Sequence, residues 1–305
     1  MRFTDAHSGR NFAKDPAVIR FHGRYFLYYT TWPSPEEEAR GLTLLIGMAE
    51  SEDMENWRIL GLLPITQACE GRGVGAPAAF VKDGVVHLFY QTYGNRENDA
   101  ICHAVSKDGV HFDKDESNPI FRPTKDWGCG RAIDADVCEF KGKLFLYFAT
   151  RDHDYRVQKL GVAAADIQSD YSRISWKQLV NQSVLAPEMR WEMECIEAPA
   201  TIAEGGRIYL FYGGAYNCMP QQIGCAVSDD GVFFRRVSPE PLMGPGKPGE
   251  WNASESGHPY AFRDDDGRAY LFYQGSPDGG NTWILARATI DFSGGIPELR
   301  DTEEA

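Results

Sequence analysis

The 305-residue chain has no apolar run near the ~18 residues that a membrane-crossing helix needs. Its opening residues, Met1 to His7, lack the apolar centre of a signal peptide, so the sequence reads as cytoplasmic. Basic residues are scarce: 31 Lys and Arg against 44 Asp and Glu leave a net charge of −13. Such a chain offers no basic face to a phosphate backbone or an anionic membrane, which argues against both as partners and for a small neutral solute. There is no CxxC pair. The seven cysteines are scattered and odd in number, as expected of reduced thiols rather than a disulfide framework or zinc cluster. GxSxG, HExxH and P-loop motifs are missing, and the glycines of 71–76 imitate a dinucleotide loop without the helix that must follow. No stretch reads as a confident helix; residues 34–40 are expected to make one exposed turn.

Aromatic residues, by contrast, make up 12% of the chain and crowd into short apolar runs, a strand signature. Those runs repeat. A short apolar strand, a turn with Gly and an aromatic strand ending near Leu-Phe-Tyr recur five times: DPAVIRFHGRYFLYY from Asp15, APAAFVKDGVVHLFY from Ala76, DADVCEFKGKLFLYF from Asp134, EAPATIAEGGRIYLFY from Glu197 and HPYAFRDDDGRAYLFY from His258. Glycine in each turn supplies the positive φ of a tight hairpin. A second hairpin follows, marked by Ser-x-Asp and then an aromatic, as in 47–57, 103–112 and 225–234; the third copy is looser and the fifth ends in ILARATIDF. Two hairpins make four strands, which is one propeller blade. The repeat predicts an all-β, five-bladed β-propeller with four-stranded antiparallel blades around a central channel, as one domain over residues 1–305. A β-sandwich needs no such five-fold repeat.

In a propeller the first strand of each blade lines the channel. Aligned on the aromatic strands, Asp15, Ala76, Asp134, Ala198 and His258 share one register, and Glu197 sits one residue before it. Carboxylates that converge raise one another's pKa, a cost that acid–base chemistry uses. Strand capping or a structural ion would account for them as well.

The same residues carry a resemblance. Asp15-Pro16, Ala132-Ile133-Asp134-Ala135 and Glu197-Ala198-Pro199, with Gly75-Ala76-Pro77 in the second blade, resemble the blade-start segments of glycoside hydrolase family 43 and its arabinanase, xylosidase and fructosidase-like relatives. The resemblance implies an inverting glycosidase acting on neutral, pentose- or fructose-type oligosaccharides. Asp15 would be the base that activates water, Glu197 the acid, and Asp134 the group that tunes it. It also implies that no cofactor is required, although Ca2+ or another ion near His258 would fit the family's channel.

This chain departs from the pattern in two places. Ala135 replaces a proline, and Asp136 is a second acid that can share a face with Asp134, so the choice between them stays open. Glu194-Cys195 imitates the acid motif of retaining fructosidases, but Ile196 stands where their proline would be. A retaining fructosidase, with Asp15 as nucleophile, a phosphorylase, or a sugar-binding propeller without catalysis are the alternatives. Trp32, Tyr93, Trp191, Asp152, Asn217 and Arg131, with His258, are the candidate sugar contacts, and Trp127, Trp251, Glu70, His153 and Glu255 lie in similar loops. Packing between blades accounts equally well for each aromatic. The sugar and the oligomeric state are not legible.

Overall fold

The computed structural model describes residues 1–301; the last four residues of the predicted 1–305 unit lie outside the described residues. Blade 1 comprises the strands Lys14–Phe21, Arg24–Thr31, Leu45–Ser51 and Arg58–Leu62. Blade 2 comprises Val74–Lys82, Val85–Thr92, Ile101–Ser106 and Asp113–Lys114. Blade 3 runs through Ile133–Phe140, Lys143–Arg151, Gln158–Asp166 and Lys177–Gln178, and blade 4 through Ile196–Glu204, Arg207–Gly214, Gln222–Ser228 and Arg235–Arg236. Every pairing in these sheets is antiparallel and joins sequence neighbours. The fold is therefore the five-bladed propeller that the repeat predicts.

Blade 5 is the exception in how it closes. Its inner three strands are Glu255–Arg263, Ala269–Ser276 and Ile284–Asp291. Both ends of the chain then share the outer edge of Ile284–Asp291: Arg2 and Phe3 pair with Ala286 and Leu285, and Glu298–Asp301 pairs with residues 288–291. The repeat left this blade one strand short. Closing it with the chain's first strand ties the two ends together and covers an edge that would otherwise be open.

The second strand of each blade is covered on both faces, which is why it reads as an unbroken apolar run rather than an alternation. Tyr28, Tyr29, Tyr90, Tyr147, Tyr212 and Tyr273 are among the largest fully buried side chains. A buried phenol needs a partner. Tyr28 and Tyr147 donate to the carbonyls of Gly109 and Gly231, each at 2.8 Å. Tyr29 donates to Asp5 at 2.8 Å, and Tyr90 and Tyr212 donate to Glu70 and Glu192 at 2.7 Å. Glu70 is thus a strut: it also takes Lys114 Nζ at 2.5 Å and the N–H of Thr66 at 3.0 Å.

The Ser-x-Asp signature also has a structural purpose. Ser51, Ser106 and Ser228 each accept the N–H of a left-handed residue three positions on, namely Met54, Gly109 and Gly231, at 3.0, 2.9 and 2.8 Å. The following Asp collects the next amides, which fixes the turn into the fourth strand. The one α-helix among the described residues, Pro35–Ala39, is the exposed turn expected at 34–40, started by a capping box between Ser34 and Glu37.

Candidate active site

Each inner strand carries the same irregularity. The pairing with its neighbour slips between Lys14 and Ala17, Gly75 and Ala78, Ile133 and Asp136, Glu197 and Ala200, and Gly257 and Tyr260. At the heart of each bulge stands a residue with left-handed backbone: Asp15, Ala76, Asp134, Ala198 and His258, with φ of 49°, 41°, 50°, 50° and 39°. These are the five residues that the sequence register aligns. A bulge re-aims a side chain, and here five of them aim at one axis. With the residues behind them they line an axial cavity of about 20 Å³, room for a single water.

Side chains from the preceding blade hold this ring. Thr30 Oγ1 accepts the N–H of Ala76 at 2.8 Å, Gln91 Oε1 that of Asp134 at 2.6 Å, and Gln274 Oε1 that of Asp15 at 3.1 Å. Blades 3 and 4 have Ala149 and Gly213 where the others have Thr30, Gln91 and Gln274, and glutamines from outside that strand serve instead. Gln221 takes the N–H of His258 at 3.0 Å, in space that a side chain at Gly213 would occupy. Gln158 reaches the Glu197 carboxylate rather than a backbone amide.

The charged groups meet at His258. Its Nδ1 lies 2.7 Å from Asp15 Oδ1 and its Nε2 lies 3.1 Å from Glu197 Oε1. Burial opposes a charge there, yet the two carboxylates outweigh it and raise the histidine well above its ordinary value, so it is an imidazolium. Burial likewise opposes the charge of Asp15, but His258 and Lys14 together hold this carboxyl well below the usual range. Glu197 is also lowered against its burial, by His258, Lys14 and an amide of Gln221 at 2.7 Å. Asp134 is the opposite case. Burial first, then the charges of Glu197 and Asp15, push it up to about 7, and its Oδ2 is buried without a hydrogen-bond partner among the described residues. Asp134 is therefore the carboxyl of this set that takes up a proton most readily.

Asp136 takes a different path. Its Oδ2 accepts the backbone N–H of Thr201 at 2.7 Å and the Thr201 hydroxyl, which ties blade 3 to blade 4 away from the axis. Of the two acids left open by the sequence, the structure puts Asp134 beside Glu197 and His258.

Asp134, Glu197 and His258 each offer one ligand atom, all within 4.8 Å of one another. A cation fits this trio only if His258 gives up a proton, because both ring nitrogens face carboxylates.

The remaining candidates divide. Tyr93 is half-buried and close enough to Lys14 to act on its charge. Asn217, with its amide turned to suit both neighbours, accepts from Lys14 Nζ at 3.1 Å and donates to Glu255 Oε1 at 3.2 Å. Arg131 is buried, its Nε 3.3 Å from Asp99. Trp32 is half-buried beside Phe12 and under Arg10, with its indole N–H on Glu38 at 2.6 Å. Trp191 packs within blade 4, stacked on Tyr212 at 5.9 Å and bound to the carbonyl of Pro239, where Gly214 and Gly224 leave it room. Asp152 accepts the amides of Arg156 and Val157 at 2.8 and 3.2 Å and shapes its own hairpin.

The sequence reading missed Lys14, Gln158, Gln221 and Gln274. Lys14 had a visible signal. It occupies in blade 1 the place that Glu197 has in blade 4, where the other blades have Gly75, Ile133 and Gly257.

A propeller whose axis gathers three buried carboxyl groups whose pKa values are pushed apart, two of them in contact with a histidine, has the equipment of a glycosidase. The chain belongs to the glycosyl hydrolases of family 43, whose model matches residues 8–290. Family 43 members and the structural neighbours are O-glycosyl hydrolases. The solved structure of a thermostable family-43 glycoside hydrolase superposes with a TM-score of 0.74 at 20% identity, over 97% of this chain and 95% of that one. The α-L-arabinofuranosidase of Lactobacillus brevis does so with a TM-score of 0.70 at 16% identity, over 94% and 93%. At such identities the likeness concerns the fold. A curated relative, the beta-1,2-mannobiose phosphorylase of Thermoanaerobacter sp. (strain X514), is 30% identical over 131 residues, which are 38% of this chain and 41% of that one.

Proposed function

We propose that this chain is an inverting glycosidase in which Asp15 is the general base, Glu197 the general acid and Asp134 the partner that supplies the acid's proton. The observation that carries this reading is the imidazole of His258 held between Asp15 and Glu197. It keeps the two carboxyls a ring width and two contacts, 2.7 and 3.1 Å, apart. That spacing is closer to the about 6.5–9.5 Å of inverting pairs than to the about 5–5.5 Å of retaining ones. Asp15, ionised well below neutrality, takes a proton from water as the water attacks the anomeric carbon. The glycosidic bond breaks on the far side, and its oxygen takes a proton from Glu197. A proton taken up by Asp134 moves to Glu197 as the sugar docks over the axial cavity. Tyr93 and Asn217 border this site as sugar contacts. NMR of the first-formed anomer tests the reading: inverted product supports it, and retained product removes the base role of Asp15.

Retention in the fructosidase manner has less support. Glu194 is exposed and ion-paired with Arg156 at 3.3 Å, facing away from the axis. Phosphorolysis is the second reading, favoured by the match to a phosphorylase. Product release that depends on inorganic phosphate would select it. A sugar-binding propeller without turnover is the third. Residues 1–305 are proposed to act as one catalytic domain. All seven cysteines are free thiols, which suits the cytoplasmic setting proposed for it.

A further inference from the structure

Arg131 and Arg151 both lie near Tyr155, and of the two only Arg131 has a carboxylate beside it. Arg131 is nine-tenths buried; its Nε lies 3.3 Å from Asp99 Oδ2, and its terminal nitrogens have no protein partner among the described residues. Arg151 ends the second strand of blade 3. Its Nε donates to Gln158 Oε1 at 2.9 Å and one terminal nitrogen to the Tyr155 carbonyl at 3.3 Å. The guanidinium is clamped between the rings of Tyr155 and Tyr216, 4.9 and 5.0 Å from their centres. Among the described residues no carboxylate lies within ion-pair distance of it. The neighbouring acids are engaged elsewhere: Asp152 with the backbone of its hairpin, Glu194 with Arg156. In a chain of net charge −13, an arginine so placed and left without a counter-ion calls for one from outside.

The position is next to the chemistry. Gln158 accepts from Arg151 and donates to Glu197, so a single amide separates the guanidinium from the acid. The group that leaves must lie on the acid's side. We infer that Arg131 and Arg151 form a subsite for an oxyanion carried by the leaving-group sugar, either a uronate carboxylate or a phosphate ester. This rests on the assignment of Glu197 as the acid. A hydroxyl would leave the charge uncompensated, whereas a carboxylate or phosphate matches the guanidinium fork. The substrate is then acidic on its leaving side, unlike the neutral oligosaccharide expected from composition.

The test compares phenyl arabinofuranosides, xylosides, mannosides and fructofuranosides carrying a 4-carboxylate, a 4-phosphate ester or the neutral 4-methyl ester. The anionic leaving group is expected to raise kcat/KM by about tenfold or more over the ester. Arg131→Met and Arg151→Met should each lower that ratio about tenfold, and Arg151→Lys less. Preference for the carboxylate alone assigns a uronate; preference for the phosphate alone assigns a phosphate ester. A wild-type ratio near one, or a ratio unchanged in both Met variants, overturns the subsite while leaving the glycosidase intact. Calorimetry on Asp15→Asn with galacturonate, glucose 6-phosphate, galactose and inorganic phosphate separates the two claims. If no glycoside is cleaved but galacturonate or glucose 6-phosphate binds, and Arg151→Met abolishes that binding, the subsite stands and the catalytic assignment falls. Binding of inorganic phosphate alone overturns the leaving-group assignment in favour of a phosphate co-substrate.

Discussion

His258 Nδ1 lies 2.7 Å from Asp15 Oδ1, an ion pair set on the axis of the propeller. The contact holds Asp15 ionised in a place where burial would otherwise protonate it.

Replacing His258 by Gln removes that cation. The pKa of Asp15 then rises, by about 1–3 units for the loss of a close opposite charge. Because the base must be ionised to act, the acid limb of kcat/KM against pH should move upward by the same amount. A pH profile of the variant checks this, and an unmoved acid limb would mean that Asp15 is not the base.

The alkaline limb has another owner. Asp134 and Glu197 share the proton that the leaving oxygen needs, and Asp134 is pushed up to about 7 chiefly by burial. Above that pH the pair loses its proton. Turnover should decline above about pH 7 in the wild type, whereas Asp134→Asn should lower kcat and abolish this inflection.

Asp15→Asn and Glu197→Gln should each lower kcat by about 10²–10⁴-fold, the usual contribution of a positioned acid or base. Neither substitution changes the shape of the side chain. Circular dichroism should stay near wild type, while the unfolding midpoint falls because each variant removes a carboxylate from the buried charge set around His258. Full activity in both variants would disprove the assignment.

Asp136 offers a test of stability in place of activity. Burial raises its folded pKa to about 7, above its unfolded value near 3.8. The native state therefore binds the extra proton between these values, and stability falls as pH rises from about 4 to 7. The slope from one such group approaches about 1.4 kcal/mol per pH unit. Both Thr201 contacts fall on a single oxygen, so Asp136→Asn can keep them. Urea unfolding between pH 5 and 8 should show a shallower loss of stability in the variant than in the wild type.

The strands and their register were legible because a strand buried on both faces writes itself as an apolar run, and five such runs align one another. Alignment alone put Asp15, Asp134 and His258 in one register and Glu197 one residue before it. The closing strand was not legible: Arg2–Phe3 is two residues long and pairs with Leu285 and Ala286 at the other end of the chain. Nor were the glutamine contacts. Gln158 and Gln221 replace a function that Ala149 and Gly213 gave up, so they lie outside the repeat that would have revealed them. Loop residues such as Trp191 and Asp152 were ambiguous for a physical reason, since an indole or a carboxylate in a loop serves packing and turn-capping as readily as it serves a ligand.

The five left-handed bulges have a consequence for how such a ring changes. Each holds its residue in the same bent backbone whatever side chain is attached, so identity at these places can alter without rebuilding a strand. Ala76 and Ala198 bear the strain of that conformation, which Asp, Asn and His tolerate better. A single codon at Ala76 would add a polar group to the axis and ease the backbone at once. The chemistry of the channel is thus composed of a few independent one-residue choices, made on a scaffold already shaped to receive any of them.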